Sequence, residues 1–274
     1  MSFHQGNPRR SGHSLPFIFI GFALLAATAA AVPAMAQTAG AADDSAAQNS
    51  SASHWGLGLA ASVERSPYRD YGNKTRVLPL ITYDGPRFRL QGTTADLKLG
   101  SLSSVDFSLR AKYSGEGYSS GDAAILNGME DRKSSFWAGG AATWRSPLAR
   151  ISLEWLGDVS GNSSGQTLRL GAERGFSFGK ARLTPHLGAA WLSSNYTDYY
   201  YGVRQSEATS ARRAYSAGST VNLTAGLRVD YALTASQSLI MDASVTRYGS
   251  AISDSPLVDR SSSPALRLGY LYKF

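Results

Sequence analysis

The chain has no cysteine among its 274 residues. Thiol catalysis, thiolate metal sites and disulfide staples are therefore excluded. Histidine is nearly as scarce: only His54 and His186 lie beyond Ala36. Past that point no stretch approaches the roughly 18 consecutive apolar residues of a membrane helix. If this chain crosses a bilayer, it must do so with strands. Asp-rich calcium loops of defined spacing are missing. The segment GEGYSSGD (Gly115 to Asp122) holds a G-x-G but follows no βα unit, so it reads as a loop and not a phosphate cradle. The residues ask for no cofactor and no metal.

What is present begins with an export signal. Arg9 and Arg10 precede an apolar run from Leu15 to Val32, and Ala34-Met35-Ala36 supplies a small-x-small cleavage site. Residues 1–36 read as a signal peptide cut after Ala36. Residues 37–53 are Ala, Ser, Gln, Asp, Thr, Gly and Asn without apolar period, which reads as a flexible periplasmic spacer. Residues 54–274 are the ordered unit. The net charge of +7 falls to +5 without Arg9 and Arg10. An exported chain meets no nucleic acid, so this charge points to lipopolysaccharide or peptidoglycan, or to solubility alone.

The last nine residues, LRLGYLYKF, show the dominant pattern. Leu266, Leu268, Tyr270, Tyr272 and Phe274 share one face, opposite Arg267, Gly269, Leu271 and Lys273. A period of 2 is the strand period. The same alternation recurs along the chain, and the face opposite the apolar one carries full charges of both signs. Candidate lumen residues are Arg110, Lys112, Arg169, Arg182, Arg228 and Arg267 with Asp106, Glu154, Glu173, Asp230 and Asp242. Strands that are apolar on one side and charged or small on the other suit an all-β, transmembrane, antiparallel up-and-down β-barrel. Splitting the segment 86–100 at Thr93-Thr94 makes short and long connections alternate. That gives about twelve strands: 55–65, 74–83, 86–92, 95–100, 104–113, 135–146, 149–160, 165–178, 180–193, 219–233, 236–248 and 264–274. Ten and fourteen are the neighbouring counts.

Tyr270, Tyr272 and Phe274 resemble the C-terminal signal that outer-membrane barrels present to the barrel-assembly machinery. Other segments extend the likeness. RVLPLITYDGPRFRL (Arg76 to Leu90), DYYYGV followed by SEA (Asp198 to Ala208), SDSPLV (Ser253 to Val258) and the closing GYLYKF together resemble the MipA/OmpV family of outer-membrane proteins. The resemblance spans essentially the whole exported chain. It implies a scaffold that brings a lytic transglycosylase together with a murein synthase. Other members are implicated in osmotic response, adhesion or antibiotic susceptibility.

Two further functions stay open on the residues alone. A charged lumen suits a small-solute channel. A lipid-modifying enzyme would have to use His186, which has no G-x-S-x-G or similar element beside it; a lumenal hydrogen-bonding histidine is the simpler reading. The inward charges read as ion pairs filling a narrow barrel in preference to paired acid–base carboxylates. Tyr196, Tyr199, Tyr200 and Tyr201 follow Trp191 at an outer strand end and are expected in the aromatic girdle, with a binding surface as the alternative. Arg212-Arg213 could meet lipopolysaccharide phosphates. No catalytic residue is assigned.

Overall fold

The computed structural model describes residues 54–274. The signal peptide, its cleavage after Ala36 and the spacer 37–53 lie outside the described residues. The strands are β1 (His54–Arg65), β2 (Asn73–Asp84), β3 (Phe88–Gln91), β4 (Thr94–Leu102), β5 (Val105–Ser114), β6 (Ser135–Arg145) and β7 (Arg150–Asp158). Then come β8 (Gln166–Glu173, resuming at Phe176–Phe178), β9 (Ala181–Leu192), β10 (Thr220–Ala232), β11 (Gln237–Arg247) and β12 (Ser262–Lys273). Both parts of β8 pair with β9, so Arg174 and Gly175 interrupt a single strand. Every strand pairs antiparallel with its sequence neighbours, and β1 pairs with β12 from Gly56↔Lys273 to Glu64↔Ala265. The result is a closed barrel of twelve strands, with boundaries close to those read from alternation.

Closure follows from chemistry at the strand edges. An open edge in hydrocarbon leaves backbone groups unpaired at several kcal/mol each. The seam removes that cost, and the Phe274 N–H still donates to the Trp55 carbonyl at 2.9 Å. Turn residues agree with the topology: the β3–β4 hairpin turns on Gly92 (φ 54°), which accepts left-handed backbone without a Cβ clash. Alternation sends one set of side chains outward. Leu59, Val77, Leu109, Trp155, Leu187, Leu223 and Leu268 are exposed and apolar, a band fit for acyl chains. Trp55 packs against Tyr83 at 4.7 Å between ring centres and Tyr272 against Phe274 at 4.9 Å, forming an aromatic belt at one rim. The connections at that rim are short and those at the other end are mostly long, which orients the belt toward the periplasm.

The outward band gives a direct check of orientation. Leu268 sits in mid-strand, paired with Met241 and Ala61. Leu268→Arg is expected to destabilise the barrel by about 2–4 kcal/mol, the cost of a cation at the bilayer midplane. Urea titration of folding into lipid vesicles measures it; a loss near zero would place that face in water.

Candidate functional site: a charged lumen under an outer cap

The outer end of the barrel is filled by its loops. Helix α1 (Ser194–Tyr201) begins at Ser193, whose hydroxyl accepts from the Tyr196 N–H. Tyr196 and Tyr200 lie four residues apart on its buried side. They pack with Tyr68, Tyr118, Leu126, Met129, Val203, Leu257 and Val258 and with Ile252 of α2 (Ser250–Ser253). Beneath these lie Trp137, Leu156 and Leu192, which reach inward from the strand tops. Tyr200 is 1% exposed. The four tyrosines are thus not girdle residues. They stand on a helix that turns in over the mouth, and Tyr199 and Tyr201 pack against the edge of the same cluster.

Polar bonds lock this cap. The Tyr68 hydroxyl donates to the Tyr200 carbonyl (2.9 Å) and the Ser255 hydroxyl to the Tyr201 carbonyl (2.6 Å). The Arg132 guanidinium binds both oxygens of Glu207 (2.9 and 2.8 Å) and donates to the Tyr199 carbonyl (2.7 Å). Arg212 is buried and donates to the carbonyls of Glu207, Ile125 and Asn127. Of the pair Arg212-Arg213, Arg212 therefore has no reach to lipid phosphates, while Arg213 beside it is exposed. Burial alone would raise the Glu207 carboxyl. Donation from the Arg204 and Glu130 backbone N–H groups and from Arg132 outweighs that and holds it below the ordinary carboxylate value.

A depressed native value stabilises the cap fully above the unfolded value of about 4.3 and loses that contribution as pH falls through the native value. Protection of the 115–134 and 193–219 amides, taken against the intrinsic exchange rate at each pH, is expected to fall as pH drops below about 4, and Glu207→Gln is expected to flatten that response.

Under the cap lies a cavity of about 760 Å³ that runs from Tyr68, Tyr196 and Tyr201 down to Pro86 and Arg87 in the short turn at the opposite rim. Two charge clusters face it. In the first, Arg110 binds Asp96 through two parallel bonds (2.7 and 2.8 Å) and Glu154 through a third (2.6 Å). Lys112 and Arg169 flank the other Glu154 oxygen at 4.0 and 3.6 Å, and Arg169 lies 3.8 Å from Glu116 of the 115–134 loop. In the second, the His186 Nε2 meets Asp242 at 2.8 Å, and Arg267 binds the other Asp242 oxygen at 2.9 Å and the Ser244 hydroxyl at 3.1 Å. Gly226 on the strand between makes this possible, because a Cβ there would strike the His186 ring. Among the described residues His186 hydrogen-bonds to Asp242 and to no hydroxyl.

The remaining sequence candidates spread down the lumen. Arg228 is fully buried and binds Asp230 at 2.9 Å through Nε, with its two terminal nitrogens unpaired. Arg182 lies beneath Gly175 and makes no hydrogen bond or ion pair among the described residues. Toward the periplasmic rim Asp106 pairs with Arg145 (2.5 Å), Glu173 with Arg150 (3.6 Å), and Asp84 with Arg89 (3.0 Å) and Lys98. Asp96, Lys98 and Glu116 escaped the sequence reading. Asp96 and Lys98 alternate with Leu97 and Leu99, so the strand period could have found them; Glu116 sits on a loop with no such signal. Tyr270 and Tyr272 point outward from β12, and Phe274 follows them at the rim.

The family model described as MltA-interacting protein MipA matches residues 57–274. The chain is 29% identical over 222 residues to the MltA-interacting protein of Escherichia coli, covering 80% of this chain and 89% of that one. It is 28% identical over 229 residues to the putative outer membrane protein YiaT of Escherichia coli, covering 82% and 93%. It is 27% identical over 190 residues to the outer membrane protein OmpV of Vibrio cholerae, covering 69% and 71%. None of these names denotes an enzyme. Among solved structures, the NanC porin aligns with a TM-score of 0.43 at 9% identity, over 80% of this chain and all of that one.

Proposed function

As this chain belongs to the MipA family and lies in the bacterial outer membrane, we propose that it is a non-enzymatic scaffold for murein-remodelling enzymes, a lytic transglycosylase and a murein synthase, in cell-wall maintenance. The sealed outer end supports this reading most: the cap fills the mouth with packed aromatic side chains, whereas the short turns and the lower cavity face the periplasm. The name of the Escherichia coli relative, MltA-interacting protein, supports it too. The turns 84–88 and 145–150, with residues 37–53, carry the contact, because soluble periplasmic partners reach only that side. Arg87, exposed in the 84–88 turn, offers a cation to acidic patches on a partner, while Arg145 and Arg150 are held by Asp106 and Glu173. Pull-down of a lytic transglycosylase on the folded barrel tests this. Replacing both turns with Gly-Ser linkers and removing residues 37–53 is expected to abolish capture; undiminished capture would sink the reading.

The small-solute channel is the second reading, favoured by the cavity of about 760 Å³ and its charged walls. It requires the cap to open.

A further inference from the structure

The barrel wall has a low place. β3 is four residues long and pairs with β2 only over Thr82, Tyr83 and Asp84. Above these, β2 continues for nine residues to Asn73 with β1 on one side and no strand on the other. Across the gap β5 is covered by β4 up to Thr94↔Lys112. From Lys74 to Leu80 the unpaired edge runs about 20 Å at ~3.3 Å per residue. It lies in the outer half of the barrel.

The residues of that edge are suited to it. The Gly92 N–H donates to the Ile81 carbonyl at 2.9 Å, so the backbone groups of Ile81 point toward β3. A residue's N–H and C=O point to the same neighbour, and alternate residues share the direction. Thr75, Val77 and Pro79 therefore direct their backbone groups into the gap. Pro79 has no N–H to strand there, which is the position a proline tolerates in a sheet. Thr75 and Val77 still present donors and carbonyls at membrane depth, where each needs a polar partner.

The inward face of β2 is graded in the same direction. Lys74 and Arg76, nearest the outer rim, line the cavity. Lys74 donates to the Gly117 carbonyl at 3.3 Å and lies over the Tyr71 ring, which leaves ammonium donors to spare. Arg76 makes no hydrogen bond or ion pair among the described residues; Glu64 and Glu116 act on it only through space. Deeper in the membrane, Leu78 and Leu80 also point inward, yet they are only half-buried. Cations at headgroup depth above aliphatic side chains at acyl depth, beside an open backbone edge, match one kind of occupant.

We propose that this notch is a lateral binding site for a phosphate-bearing, acylated lipid of the outer leaflet. Its phosphate sits on Lys74 and Arg76, and its chain lies in the gap against Leu78, Pro79 and Leu80. The free N–H groups of Thr75 and Val77 donate to phosphate or ester oxygens, and the lipid completes the wall that β3 and β4 leave short.

The full barrel in nanodiscs of phosphatidylcholine doped with lipid A tests this. Native mass spectrometry is expected to show one retained lipid A after exchange into detergent. Lys74→Gln with Arg76→Gln is expected to lower the affinity for lipid A roughly a hundredfold, about tenfold for each charge-assisted hydrogen bond lost. Arg260→Gln on an outer loop leaves it unchanged, and heat-modifiable gel mobility verifies folding of each variant. A photo-crosslinker at inward Leu78 is expected to capture lipid A, and one at inward Thr224 on the far wall is not. Equal occupancy in the double variant, full displacement by inorganic phosphate, or capture of a second copy of the chain at Leu78 overturns the proposal.

Discussion

Replacing Glu154 with alanine is expected to cost the barrel roughly 3–5 kcal/mol of folding stability. Glu154 is 2% exposed and answers three cations at once: Arg110, Lys112 and Arg169. Asp96 still neutralises Arg110 after the change, but Lys112 and Arg169 keep only Glu116 within reach of a weak pair. A buried, uncompensated cation costs more than the lost attraction, because its hydration has been given up as well. Two comparisons separate this cause from simple loss of packing. Adding Lys112→Met to Glu154→Ala should recover part of the loss, since an apolar replacement removes the stranded charge. Asp106→Ala should change stability by less than about 1 kcal/mol, because its pair with Arg145 is about a third exposed or more and screened by water. Urea titration in vesicles measures all three, and a Glu154→Ala loss no larger than that of Asp106→Ala would refute a coupled buried network.

Removing the cap is expected to turn a silent barrel into a conducting one. Replacing residues 195–217 with a short Gly-Ser link between β9 and β10 deletes most of α1, Tyr196, Tyr200, Val203 and Glu207 together. Leu126 and Met129 then lose the groups they pack against, and Arg132 loses its carboxylate. Planar-bilayer recording is expected to show no steady current for the intact chain and a stable open level for the deletion. Current selectivity should respond to Arg110→Gln, whose guanidinium bridges β4 and β7 across the lumen wall. If the intact chain conducts as well as the deletion, the cap is no barrier and the channel reading displaces the scaffold. If the deletion stays silent, the ion-pair network itself closes the lumen.

The barrel was legible because strand alternation is a direct record of which side faces lipid. Leu266 to Phe274 needs only a period of 2 to be oriented, and each hairpin repeats the same rule. The split at Thr93-Thr94 follows from connection lengths together with the need for an even strand count. What alternation cannot carry is contact between segments far apart in sequence. His186 and Asp242 meet across β10 because Gly226 leaves room, and nothing local to either residue announces it. The tyrosine segment failed for a different reason. Tyrosine favours strands and membrane interfaces, and Trp191 just before it reinforced that reading. The opposing signal was Ser193, a good helix N-cap, followed by aromatics at i and i+4. Loop packing then decided between them. Arg212 was misplaced likewise: its neighbours are polar, but its partners are carbonyls of the 115–134 and 193–219 loops.

The cap draws on connections between β1 and β2, β5 and β6, β9 and β10, and β11 and β12. The Tyr68–Tyr200 bond joins residues 132 positions apart, and Tyr68 bridges to Val258 beside the closing seam. Contacts of such high order form late in folding, after shorter loops have been drawn together. The seam itself pairs residues 201 to 217 positions apart, so by the same rule it closes after the Tyr68–Tyr200 bond can form. A newly inserted molecule therefore carries packed lid residues before its wall is complete, and tyrosine fluorescence that matures before the heat-modifiable closed form appears would mark that stage.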